Sequence, residues 1–449
     1  MNSPIPHPMN PVTQPQPAEA RPIARAFAYL AGLGAFFYAS YGFANWVSSL
    51  RADVPAIVFG WERAVPFLAW TIVPYWTTNL FYATSLLFTR TRRELDVHAR
   101  RLLTAQVIAV TFFLIAPLKF SWPKPDTSGL FGFFFEALGA FDKPFNQAPS
   151  LHVALTVILI ARFSRLLPQR WFALFLGWSV LVVASVMTTF QHHFIDIPTG
   201  ALLGLACLWF WRDDGTTAID AMRLTDDPRR RRLALLYSFG AIACSLPAIS
   251  LGGWALWLFW PALSLAMVAL AYLLLGPATF MKDETGAIAW PARLLLAPYL
   301  GMAWLNSRLW TRNDRSAPRV ADGVHLGRFP AAGEAAEFDA VIDLTAEMSR
   351  GQPHAGWLAL PMLDLVAPTP HDLRRAAAAI EAAHRESGMV LVCCALGYGR
   401  SVAALLVWLV MTGRAPDLAT ALAQMQIIRP RLALNPAQRE AVQQAIHGG

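Results

Sequence analysis

The chain of 449 residues is short of charge and short of cysteine. Only 15% of its residues are Asp, Glu, Lys or Arg, against about 25% in ordinary soluble domains, and 55% are hydrophobic. That balance excludes a soluble protein over most of the length. Its four cysteines show neither the spacing of a disulfide framework nor that of a zinc site. Cys207 and Cys244 lie inside apolar runs, where a thiol behaves as a small buried hydrophobe, so only the adjacent pair Cys393 and Cys394 is placed for chemistry. The start of the chain lacks the basic segment and small-residue cleavage pattern of a secretory signal, so the first apolar run is expected to remain as an anchor. Internal repeats are lacking as well.

Present instead are long apolar windows. A hydrocarbon core about 30 Å thick needs about 20 apolar residues per helix. Residues 26–47, 65–88, 102–118, 171–189, 233–250 and 255–275 supply such runs, and 151–163 and 194–211 are shorter or carry polar residues at one end. These windows predict an α-helical polytopic membrane domain of about eight spans. The net charge of +8 is concentrated in 21–25, 90–101, 161–170 and 226–232. With eight spans these segments share one side, which the positive-inside rule makes the cytoplasm; the basic balance therefore sets orientation and does not point to nucleic acid. The first 20 residues contain six prolines, so residues 1–22 are expected to be a disordered cytoplasmic tail.

From about residue 318 the long apolar windows stop. Short strand-like runs (323–330, 340–348, 356–365 and 389–395) alternate with an Ala-rich amphipathic run at 371–387, the pattern of an α/β domain over 318–449. Residues 213–276 are read as two further transmembrane helices after a membrane domain of 23–212. The linker 277–317 contains the ambiguous segment 287–310, whose Arg, Asn, Ser, Pro and Trp content suits a helix lying in the interface rather than spanning it.

The segment "VCCALGYGRS", residues 392–401, joins a strand-type run to a helical one through a glycine-rich bend. Successive amides and the positive end of the following helix make such a bend an anion cradle and lower the pKa of a thiol placed in it. This Cys-x5-Arg loop and its surroundings resemble a dual-specificity phosphatase domain. The resemblance implies that Cys394 is a nucleophile forming a phosphocysteine. Ala395, Leu396, Gly397, Tyr398 and Gly399 would bind phosphate through their amides, and Arg400 through its forked guanidinium. Ser401 would hydrogen-bond the sulfur, and Asp364, 30 residues before Cys394, would be the acid. "VIDLTAE" and "IIRPRLALNPAQREAV" fit the same family. Cys393 stands where the family usually has histidine and Gly399 where it often has serine; the neighbouring thiol offers a protective disulfide.

In the membrane half, "APSLHVAL" and "TTFQHHFIDIPTG" resemble the type 2 phosphatidic acid phosphatase superfamily, in its branch shared with phosphosphingolipid synthases, and imply a six-helix core. His192 would be a nucleophile forming a phosphohistidine, Asp196, four residues on and so on the same helical face, its orienter, and His152 the acid. His193, without a carboxylate four residues on, reads as a neighbour. Relatives carry a basic residue shortly before the second histidine, where this chain has Val186 and Phe190, so positive charge must come from Lys119, Lys124 or Lys143. Both motifs fall at span ends on the non-cytoplasmic side.

The expectation is a phosphoric monoester hydrolase of the bacterial inner membrane with its C-terminal domain in the cytoplasm. It would act on phosphorylated lipid, with the bilayer as its only implied partner and no metal or cofactor required by either mechanism. Two other readings stay open: a membrane-anchored phosphoprotein phosphatase, and a membrane half that is a non-catalytic lipid-binding scaffold.

Overall fold

The computed structural model describes residues 20–448; most of the predicted N-terminal tail lies outside them. The chain divides into two compact units, the first ending near Cys207 and the second running from there to the C-terminus.

The first unit is helical: α1 (Ile23–Ser49), α2 (Ile72–Leu87), α3 (Arg92–Ile115), α4 (Gly129–Gly139), α5 (Leu151–Leu166), α6 (Gln169–Thr188) and α7 (Asp196–Phe210). Local chemistry sets several boundaries. Thr91 caps α3 by accepting from the Glu94 amide at 3.2 Å, and Ser150 caps α5 by accepting from Val153 N at 3.4 Å, each satisfying a donor that the first helical turn leaves free. Small residues let helices meet. A Cβ on Gly200 would lie 2.5 Å from Ser150 O, and one on Gly204 2.7 Å from Ala154 O, so α7 packs on α5 with its backbone almost touching.

The second unit begins with α8 (Pro228–Leu251), capped by Asp227, which accepts from Arg229 N at 2.8 Å. It returns through α9 (Phe259–Leu270), which ends in a π-helical turn, Ala271–Leu275. After α10 (Trp290–Leu295) and α11 (Ala297–Trp310) comes a five-stranded sheet: β1 (Arg319–Ala321), β2 (Val324–Arg328), β3 (Ala340–Thr345), β4 (Trp357–Met362) and β5 (Val390–Cys394). Its order is β1-β2-β5-β3-β4, parallel except for β1. Helices α12 (Pro370–Glu386), α13 (Arg400–Met411), α14 (Leu418–Ile428) and α15 (Pro436–His447) complete the unit. β3, β5 and α13 form its dry centre, with Trp408 fully buried. Such two-sided burial is what a continuous apolar parallel strand requires.

A polytopic helical region followed by an α/β domain is thus the architecture. Among the described residues, five helices are long and apolar enough to cross a membrane: α1, α3, α6, α8 and the helical run Gly253–Phe280 that contains α9. The other three predicted windows form α2, α5 and α7, of 16, 16 and 15 residues, each about 24 Å or less at 1.5 Å per residue and short of a hydrocarbon core. Segment 287–310 breaks at Leu296, ahead of Pro298, into helices of 6 and 14 residues.

The chain between α9 and α10 is tied to the sheet. Lys282, with its side chain fully buried, donates from Nζ to Asp343 Oδ2 at 2.5 Å, Thr345 O at 2.7 Å and Thr345 Oγ1 at 2.9 Å. The Ala359 amide of β4 donates to Glu284 O at 2.8 Å.

Candidate active sites

Cys394 is the last residue of β5 and Arg400 the first of α13. The strand stops because Gly397 turns into positive φ (+78°), where a Cβ would lie 2.7 Å from Gly327 O and 3.0 Å from the Arg328 amide nitrogen. Only glycine fits there without moving backbone. The turn aims the Gly397 amide at Cys394 Sγ, 3.3 Å away, while the Ser401 hydroxyl donates to the same sulfur at 3.2 Å. Tyr398 is buried and donates from its hydroxyl to Asp314 at 2.9 Å; its carbonyl accepts from Ala433 N at 3.0 Å. Ser307 of α11 donates to Ala395 O at 2.6 Å. With Leu396 and Gly399 between them, these contacts fix the loop from both sides.

Arg400 is buried and fully engaged along one edge. Its Nη1 donates to Glu347 Oε2 at 3.0 Å and Met362 O at 2.8 Å, and its Nη2 to Glu347 Oε1 at 2.5 Å. Asp364 Oδ1 is 3.2 Å from Nη2. The fork expected to grip phosphate therefore grips Glu347, and Nε is left with no partner among the described residues. Burial pushes Glu347 up, but the Arg400 charge and its hydrogen bonds outweigh that and hold the carboxyl below the ordinary range. For Asp364 the balance runs the other way. Desolvation raises it, Arg400 opposes, and the negative Glu347 adds to the rise, leaving Asp364 above the ordinary carboxylate range. A carboxyl raised in this way is suited to hold a proton for a leaving group.

Cys393 does not share this pocket. Alternation along β5 turns it to the other face of the sheet, among Phe329, Val341 and Trp357, whereas Cys394 packs with Ile342, Val392 and Val402. Burial drives the Cys393 thiol well above its usual pKa. Alternation sends the two adjacent thiols to opposite faces of the sheet, and both are free in this structure.

In the first unit, His192 and Asp196 meet as expected, Nδ1 to Oδ2 at 2.6 Å, but not on a helical face. Phe190 at φ +54° ends α6, His192 lies in the turn, and Asp196 is the first residue of α7. The same carboxylate accepts from Ala148 N at 2.8 Å through its other oxygen, which ties the His152 loop to His192. His192 Nε2 has no partner among the described residues. The His152 ring lies 6.1 Å from the His192 ring and stacks on Tyr75 at 4.0 Å. Lys124 donates to Gln191 Oε1 at 2.7 Å, beside the nucleophile position. Lys119 and the exposed Lys143 make no side-chain bond among the described residues.

Two carboxylates at this site escape sequence reasoning. Glu62 accepts from His193 Nδ1 at 2.9 Å and from Phe194 N at 3.1 Å, so His193 has a carboxylate after all. Its Nε2 is nevertheless occupied by Ser121, 3.1 Å from the hydroxyl and 3.2 Å from the amide, which separates it from the free His192. Asp142 accepts from the Tyr41 hydroxyl at 2.8 Å.

The comparisons agree with both halves. Residues 59–219 match the PAP2 superfamily model and residues 324–445 the model of the dual specificity phosphatase catalytic domain. The chain is a fusion of these two domains, each from a family of phosphoric monoester hydrolases. Among solved structures it is similar to Tk-PTP in its active form, at 28% identity over 29% of this chain and 96% of that one, with a TM-score of 0.26. It is likewise similar to human DUSP28, at 28% identity over 29% and 95% with a TM-score of 0.26. PTPMT1 in complex with PI(5)P aligns at 18% identity over 29% and 94%, with a TM-score of 0.27. No curated protein matches the chain.

Proposed function

We propose that this protein is a membrane phosphatase with two phosphate-ester sites serving lipid metabolism, the Cys394 site hydrolysing a phosphate monoester of a membrane lipid. The observation that carries it is the sulfur of Cys394 held by the Ser401 hydroxyl and the Gly397 amide at the head of α13, with the guanidinium of Arg400 and the acid Asp364 paired beside it. The Cys394 thiolate attacks phosphorus in line, forming S–P while the P–O bond to the alcohol breaks. Asp364 passes its proton to the departing oxygen. Water then attacks phosphorus, Asp364 takes back a proton, and sulfur leaves as thiolate. Loop amides and Arg400 Nε stabilise the equatorial oxygens in both steps.

His192 supports a parallel reaction in the first unit. Asp196 holds Nδ1 and leaves Nε2 free to attack, so phosphate or a phospho-headgroup moves to histidine while His152 protonates the leaving oxygen. Within that unit both histidines sit at helix ends remote from the basic ends, His152 at the start of α5 whose last turn carries Arg165, and His192 after α6 which starts beside Arg170. Positive-inside orientation assigns that end to the outer side and the basic start of α8 to the cytoplasm.

The test is phosphate release from a panel of lipid phosphates by the full chain in nanodiscs, as wild type, Cys394→Ser and His192→Ala. Each variant should abolish turnover of its own subset of lipids. A double variant that still releases phosphate at the wild-type rate refutes the reading.

A further inference from the structure

The second unit brings three tyrosines from its membrane-side helices to the mouth of the Cys394 site. Tyr272, in the π-helical turn after α9, donates its hydroxyl to Asp364 O at 3.0 Å. Its ring stacks on Tyr237 of α8, with centroids 5.5 Å apart and planes within 6°. Tyr299 of α11 meets Tyr237 edge to face at 5.9 Å. Tyrosine at a membrane boundary is ordinarily a belt residue facing lipid headgroups. Tyr272 is only 2% exposed and faces the acid loop, so belt anchoring does not account for it.

The π turn itself is held in place. Arg230, in the basic start of α8, donates from Nε to Tyr272 O at 3.0 Å and from Nη2 to Ala271 O at 3.3 Å. Amides of Arg223 and Thr225 bond Leu274 O and Leu273 O at 2.9 and 3.0 Å. Single π turns inside helices recur at functional sites, and here the turn carries the tyrosine that bonds the acid loop. Arg230 lies where the basic start of α8 gives way to an apolar run. Tyr237 is seven residues further along the helix, about 10 Å deeper at 1.5 Å per residue. Side chains of Leu235, Leu236, Phe239 and Ile242 on either side of it are exposed on α8, as a lipid-facing surface would be. An aromatic collar thus joins the acid loop beside Cys394 to the apolar run of α8.

We infer that the α8–α9 hairpin is part of the phosphatase active site: Tyr272 is a positioning residue for the acid loop, and Tyr237, Tyr272 and Tyr299 select a phosphate monoester carried on a bilayer-resident lipid that enters from the membrane side. This rests on the lipid reading above and adds its route and its selector. An alkyl phosphate needs its leaving oxygen protonated far more than p-nitrophenyl phosphate does, so loss of acid positioning falls mainly on the lipid.

The test uses the full chain in nanodiscs with three substrates: a long-chain phosphatidic acid in the bilayer, a phosphoserine peptide in solution, and p-nitrophenyl phosphate. Wild type should turn over the lipid with kcat/KM at least tenfold above the peptide. Tyr272→Phe, which removes one hydrogen bond, should lower lipid kcat about three- to tenfold, lower the aryl phosphate less, and displace the limb of the pH profile where activity falls as Asp364 loses its proton. Tyr237→Ala should reduce the preference for lipid over peptide. A peptide used as well as the lipid overturns the inference, as does Tyr272→Phe lowering lipid and aryl phosphate equally with an unmoved pH limb. Lipid turnover that survives Cys394→Ser intact would instead overturn the assignment of lipid chemistry to this site.

Discussion

Ser401→Ala should convert the enzyme into one that stalls halfway. The hydroxyl donates to Cys394 Sγ at 3.2 Å and has no other acceptor among the described residues. In the first step the sulfur gives up its negative charge to phosphorus, so this bond weakens toward the transition state and its loss does not slow attack. In the second step the sulfur regains its charge as it leaves, and the bond strengthens. A hydrogen bond to a charged group contributes about 1.5–3 kcal/mol, which slows breakdown of the intermediate about ten- to a hundredfold. The Gly397 amide, 3.3 Å from the sulfur, remains as partial support, favouring the lower end. Stopped-flow assay with p-nitrophenyl phosphate should then show a stoichiometric burst of nitrophenol followed by a slow steady state. Intact-mass measurement of acid-quenched enzyme should show the phosphorylated form. A variant whose kcat falls with no burst and no phosphoenzyme would place the action of Ser401 before the intermediate and refute the argument.

Two other outcomes follow from the same pocket. Glu347→Gln leaves Arg400 buried, its side chain 2% exposed, without the carboxylate that accepts from both of its terminal nitrogens; breaking a buried pair costs about 3–5 kcal/mol, a large part of the about 5–15 kcal/mol that holds a domain folded. Because the folded-state pKa of Glu347 is depressed, its contribution stands in full above the unfolded carboxyl value of about 4.3 and is lost as pH falls through the lower folded value. Thermal melting should therefore separate variant from wild type at neutral pH and bring them together in acid; a separation that persists in acid counts against the ion pair. Gly397→Ala forces a Cβ to within 2.7 Å of Gly327 O at φ +78°, so vanadate inhibition should weaken at least tenfold and the melting temperature should fall; unchanged inhibition would show that the loop geometry does not hold the oxyanion.

What sequence revealed is what neighbours along the chain determine. The strand, bend and helix around Cys394 are contiguous, and the caps at Thr369, Asp227 and Asn435 lie within three residues of the amides they satisfy. Such features can be found from spacing alone. His192 and Asp196 show the limit of that reasoning. Spacing of four residues brought them together, yet the geometry is a turn set by the left-handed Phe190 and not a helix. Glu62 lies 131 residues from His193, and Tyr272 lies 92 from Asp364. Neither pairing has a local signal, because each is made by packing of separate elements. Glu347 was visible within "VIDLTAE" as part of a family pattern. Its grip on the guanidinium of Arg400 required knowing that β3 lies beside β5.

Both nucleophile sites meet the same requirement by different means. A group must be held firmly enough to aim and yet keep one reactive atom free. At His192 the task is divided across one ring: Nδ1 is fixed by Asp196, whose second oxygen is itself fixed by the Ala148 amide, and Nε2 stays open. At Cys394 it is divided between two residues. Sulfur is steadied by Ser401 and Gly397, while the cation needed for phosphate is held through both terminal nitrogens by Glu347 and keeps only Nε open. The carboxylate therefore does at Arg400 what Asp196 does at His192. It sets orientation through one edge and, by being buried with its partner, keeps the opposite edge aimed without a swinging side chain. On this argument Glu347 and Asp196 act through their partners rather than on substrate, and conservative amide replacements at either should lower kcat while leaving the nucleophile chemically competent.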